Sequence, residues 1–92
     1  MATFLMLGKY SAEGLKGASR ARTKTAIAAL EKAGGKVKAM YALLGEYDLA
    51  FVLDFPGTTE AMKGSLALAK LTGIGFVTSP AVSIEEFDKF VK

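Results

Sequence analysis

Three features of the 92-residue sequence predict an α+β domain with the element order βαββαβ. Short runs rich in Phe, Leu, Val and Tyr alternate with long alanine-rich segments, the alanine-rich segments lack proline, and glycine or proline marks most junctions. Residues 3–10 form the first predicted strand, which stops before Ser11, a residue whose hydroxyl suits a helix N-cap. Residues 11–33 are predicted as one helix carrying Leu15, Ala18, Ile27 and Leu30, and Gly34-Gly35 ends it. Gly14 and Gly17 each cost a helix interior about 1 kcal/mol relative to alanine, so its first turn is expected to be irregular or closely approached by another backbone. Residues 36–44 and 47–55 are the second and third strands, and Gly45-Glu46 between them suits a two-residue type II′ turn. After Pro56-Gly57, Thr58 or Thr59 caps a second helix with Met62, Leu66, Ala69 and Gly73 at helical spacing. Residues 74–78 give a short fourth strand, which Pro80 terminates or confines to an edge. Ser83-Ile84-Glu85-Glu86 matches a capping box, so a short final helix carrying Phe87, Phe90 and Val91 is expected.

Strand-helix-strand-strand-helix-strand is the ferredoxin-like order. Right-handed crossovers put both main helices on one face of a four-stranded antiparallel sheet and leave the other face bare. A two-residue turn pairs Tyr41 with Ala50 and Leu43 with Asp48. Met40, Ala42, Leu44, Leu49, Phe51 and Leu53 then lie under the helices, and Val37, Ala39, Tyr41, Leu43, Ala50 and Val52 lie on the bare face. Four strands about 4.8 Å apart and ~20 Å long present on the order of 400 Å² of apolar sheet, comparable to the largest patches that monomers tolerate. The expectation is a homodimer joined sheet to sheet through the bare face.

Composition narrows the chemistry. Residues 1–92 fit a single small domain with a modest core, and 51% of them are hydrophobic. With no cysteine and no histidine there is no thiolate or imidazole nucleophile, base or metal ligand. The glycine-rich phosphate loops and the carboxylate spacing of a calcium loop are also missing, so neither a cofactor nor a metal site is expected. The net charge is +3, with Lys16, Arg20, Arg22 and Lys24 close together and Glu85, Glu86 and Asp88 gathered near the end. The basic cluster reads as a solvated helix face without interleaved aromatics, and nucleic acid is not the expected partner. Lys63 and Lys70 interrupt the most apolar region, so no membrane span is expected. Phe4-Leu5-Met6-Leu7 reads as a strand rather than a secretion signal, which gives a cytoplasmic expectation.

Tyr10-Ser11-Ala12-Glu13-Gly14, Gly34-Gly35-Lys36-Val37 and above all Leu44-Gly45-Glu46-Tyr47-Asp48 resemble the GYD-domain family, and the resemblance spans nearly the whole chain. That family comprises small, largely uncharacterised proteins similar to dimeric α/β barrels, so the resemblance implies this fold and a dimer. Its Gly-Tyr-Asp signature maps onto Gly45, Tyr47 and Asp48, residues that a strand-turn-strand corner also favours for structural reasons.

Proteins with this dimeric barrel often enclose a pocket between sheet and helices, and the resemblance therefore implies a binding site for a small hydrophobic or aromatic ligand. Some relatives of the barrel oxidise aromatic substrates without metal or cofactor, which makes a cofactor-independent monooxygenase-like enzyme the alternative. Without histidine, the side chains able to orient or deprotonate a phenol are Tyr10, Tyr41, Tyr47, Asp48 and Asp54. Tyr41, Tyr47, Asp48 and Asp54 are the candidate ligand-binding residues, and no catalytic residue is assigned. Aspartates beside turns more often bond nearby backbone amides. A further alternative is an RNA-binding or protein-interaction module, because Ala50-Phe51-Val52 resembles the centre of the third-strand signature of RNA-recognition motifs. Gly14-Leu15-Lys16-Gly17 has the spacing of a phosphate-clamping GxxG loop, but its position marks it as a helix-entry feature.

Overall fold

Alternation along β1 (Ala2–Lys9) turns Phe4, Met6 and Gly8 to one side, where all three are buried, and leaves Leu5 and Leu7 half-buried on the other. A computed structural model describes residues 1–92 and places β1 in the middle of a four-stranded antiparallel sheet. Its neighbours are β3 (Leu49–Phe55) and β4 (Gly75–Ala81), with β2 (Lys36–Ala42) beyond β3, giving the order β2-β3-β1-β4. Helices α2 (Arg20–Lys32) and α3 (Thr58–Thr72) pack against each other and on one sheet face. The order and layering are those of the ferredoxin-like α+β fold. No helix is long and apolar enough to cross a membrane.

The predicted first helix is two. A five-residue α1 (Ala12–Lys16) is capped by Ser11, whose Oγ accepts from the Gly14 amide, and it ends at Gly17; α2 starts afresh behind Ser19. Glycines at positions 14 and 17 weaken continuous helix, and Ser19 Oγ accepts from the Arg22 amide at 3.0 Å, which stabilises the new start. Ser19→Ala is therefore expected to lower stability by about 1 kcal/mol, read as a shifted urea midpoint with an unchanged slope. The other helices keep close to expectation, except that Gly57 occupies the α3 cap without a side-chain bond.

The β2–β3 hairpin departs from the predicted two-residue turn. Its strands end at Ala42 and resume at Leu49, and the Leu43 amide donates to the Asp48 carbonyl at 2.7 Å across a wider loop. The cause is the commitment of Asp48 to β1: its amide donates to the Gly8 carbonyl, and its carboxylate accepts from the Tyr10 amide. Leu43 and Leu44 consequently leave the sheet, and Leu44 is fully exposed instead of lying under the helices. Tyr41 does pair with Ala50, as expected, but a bulge at Lys38 shifts the register so that Val37 pairs with Leu53. Val37 therefore packs against the core and not on the bare face. Pro80 lies inside β4, which is longer than predicted and is tolerated there because β4 is an edge strand paired only with β1.

The core lies between the sheet and the two main helices, with Met6, Leu30, Leu53, Phe55 and Leu68 almost fully buried. The Phe55 ring lies edge-on to Phe4 with centroids 5.8 Å apart. A methyl added to Gly35 or to Gly64 would fall 2.6 or 2.8 Å from that ring, so the two glycines provide the space it occupies.

Candidate functional site

The largest recess opens on the helix side of the sheet, at the end where β2 finishes and β3 begins, with a volume of about 260 Å³. Its floor is Met40, Leu49, Phe51 and Phe76 from the sheet; its walls are Ala26 on α2, Leu68 and Thr72 at the end of α3, and Ile74. These are side chains that strand and helix periodicity turn inward, and Ala26, Phe51 and Leu68 among them belong to the packed core that the recess adjoins. Tyr10, Arg22 and Thr23 stand at the α1–α2 side, and Tyr41 and Ala42 contribute from edge strand β2.

Most of the lining is apolar, and Arg22 is its one charged residue. The guanidinium is held in place by two contacts. Its Nη1 donates to the Gly14 carbonyl at 2.7 Å, and its central carbon lies 5.9 Å from the centroid of the Tyr10 ring, within cation–π range. Gly17 leaves room for it, since a methyl there would sit 2.6 Å from Nη1. The chain's two ion pairs are Lys16 with Glu13 and Lys38 with Asp54, so Arg22 has no carboxylate partner. Four of its five N–H donors are uncommitted within the chain. By contrast the threonine hydroxyls have no proton left to donate: Thr23 donates to the Ser19 carbonyl, and Thr72 donates to the Leu68 carbonyl while accepting from the Ile74 amide.

The four residues singled out from the sequence are not gathered at this recess. Tyr41 alone borders it, 60% exposed, opposite Ala50. Asp48 uses its carboxylate to accept the Tyr10 amide at 2.8 Å, fastening the loop before β3 to the end of β1 and thereby placing the Tyr10 ring. Tyr47 is half-buried in the β2–β3 loop and is not part of the lining. Asp54 lies six residues along from Asp48, roughly 20 Å in an extended strand. There it accepts from Thr3 Oγ1 at 2.9 Å and pairs with Lys38 at 3.7 Å. Phe51, the aromatic that suggested an RNA-stacking strand, is 6% exposed and faces the helices beside Phe76, so it is not available to a base.

Arg22 is the residue that sequence reasoning passed over, whereas Tyr10, named there as able to orient a phenol, does stand at the recess. Arg22 belonged to a cluster that reads as a solvated face. The available signal was the pair Gly14 and Gly17, which are small because the guanidinium and the Ile74 side chain come close to them.

The fold and the recess together define an open-faced ferredoxin-like domain with an apolar cleft and one uncommitted cation at its mouth. The chain belongs to the GYD-domain family, whose model matches residues 4–91. No curated protein matches its sequence.

Proposed function

We propose that the protein is a homodimeric binding module whose cleft holds a small aromatic molecule carrying a carboxylate. The observation that carries this reading is the unpaired Arg22 at the edge of an otherwise apolar recess. A guanidinium binds a carboxylate through two parallel hydrogen bonds, and Met40, Leu49, Phe51 and Phe76 offer a surface for a ring. At about 260 Å³ the cleft lies just below the ~300–1,000 Å³ of sites for drug-sized ligands, which suits a single-ring compound. Binding is better supported than catalysis, because the lining offers no carboxylate or imidazole as a general base.

Dimerisation is supported by the bare sheet face, where Leu5, Leu7, Ala50 and Val52 are flanked by Tyr41 and Val77. The protomer exposes 6167 Å², against about 5,100 Å² for a typical monomer of its mass. The excess is of the size that an interface removes.

Calorimetric titration with phenylacetate and its neutral isostere phenylacetamide tests the binding reading. Phenylacetate is expected to bind at least about tenfold more tightly, a difference of roughly 1.4 kcal/mol, and Arg22→Gln is expected to abolish the preference. Equal affinities for the two compounds in the unaltered protein would contradict it.

A further inference from the structure

The C-terminal helix α4 (Ile84–Val91) is properly formed yet buries none of its residues. Ser83 caps it by accepting from the Glu86 amide at 3.1 Å, and two acidic residues stand in its first turn. Every residue from Val82 to Lys92 is nevertheless exposed, including Phe87 and Phe90. An isolated helix of eight residues is not stable in water, where nucleation alone defeats chains shorter than about 12–15 residues. Its stability must come from a surface that the protomer does not itself supply.

The side chains define that surface. At 100° per residue, Ile84, Phe87, Phe90 and Val91 fall in one stripe, with Glu86 on one border and Asp88 on the other. An apolar stripe with acidic borders is repelled by an anionic membrane and fits an apolar protein surface with basic residues around it. The α1–α2 segment of the chain offers an exposed apolar side chain, Leu15 at 59%, together with the exposed cations Lys16, Arg20 and Lys24. The molecule measures 47 Å in its longest direction against 30 Å and 18 Å in the others. None of its helix α4 residues joins the core of its own protomer.

We infer that α4 is an exchanged arm: its apolar stripe packs on a second copy of the chain, and its acidic borders meet that copy's α1–α2 basic cluster. The inference rests on the homodimer reading above and extends it. Two bare faces meeting supply about 800 Å² of projected sheet, below the roughly 1,000 Å² that a stable interface needs. Two exchanged helices, each burying two aromatic and two aliphatic side chains, add on the order of 400 Å² apiece and carry the total past that threshold.

Sedimentation equilibrium on the full-length chain tests the exchange. Phe87→Asp with Phe90→Asp is expected to raise the dimer dissociation constant more than tenfold, with an unchanged circular dichroism spectrum for the β-sheet. Glu86→Lys with Asp88→Lys is expected to raise it about threefold, and adding Arg20→Glu with Lys24→Glu to the same chain is expected to restore it. If the unaltered protein dimerises and both sets of variants keep its dissociation constant, the exchange is wrong and the sheet-to-sheet dimer stands. If the unaltered protein is a monomer at micromolar concentration, both are wrong.

Discussion

Phe55→Ala is expected to lower stability by about 3–5 kcal/mol, a large share of the roughly 5–15 kcal/mol that holds a small domain folded. The ring is fully buried, stacks edge-on against Phe4, and occupies space that Gly35 and Gly64 leave free on the neighbouring elements. Its removal opens a void that those glycines cannot fill, so the loss includes a cavity contribution as well as the transfer of the ring to water. The same geometry predicts a coupling. Gly64→Ala alone forces a methyl to 2.8 Å from the ring and should destabilise the protein, whereas in a Phe55→Leu background it should cost less or become favourable. Urea unfolding at fixed protein concentration measures all of these changes. A Phe55→Ala loss below about 1 kcal/mol would show that the ring does not organise the core as described.

If two copies join through the bare face as proposed, Val52→Asp is expected to convert the dimer to monomers while leaving the protomer folded. Val52 lies in the centre of the bare face, between Leu5 on β1 and Ala39 on β2, and no helix covers it. In a two-fold interface the substitution buries two like charges near each other, both without partners, and the dissociation constant should rise more than a hundredfold. In a monomer the same carboxylate points into water and costs little. Sedimentation velocity distinguishes the two cases, and a dimer that survives Val52→Asp would move the interface to another face.

How far the sequence revealed this fold depends on how local each determinant is. Strand order and the position of the main helices follow from alternation, caps and breaks, all read within a few residues. Ser11 and Ser83 cap the helices they precede, and Tyr41 pairs with Ala50. The bulge at Lys38 is invisible because Lys36-Val37-Lys38-Ala39 reads as unbroken alternation; only pairing with β3 shows that Val37 turns to the core. The split of the first helix was foreshadowed by Gly14 and Gly17, but their deeper cause is a side chain at position 22. The wide β2–β3 loop depends on bonds from Asp48 to Gly8 and Tyr10, contacts 40 and 38 residues apart along the chain that no local pattern encodes.

The candidate site was less legible for the same reason. Asp48 and Asp54 attracted attention as carboxylates in a sequence without histidine, and each is engaged in joining strands: Asp48 to the end of β1, Asp54 to Thr3 and Lys38. The cation that faces the cleft resembled its neighbours Arg20 and Lys24 in sequence and differs from them only in what the folded chain puts around it. Its anchor on the Gly14 carbonyl and its approach to Tyr10 require β1, α1 and α2 to be assembled first.

Native mass spectrometry of the full-length protein with phenylacetate tests the central claim most directly, since one spectrum reports both subunit count and bound ligand. The account predicts a dimer carrying up to two phenylacetates, one for each cleft, with occupancy well above that of phenylacetamide under the same conditions. A monomer, or a dimer that takes up the two compounds equally, would contradict it.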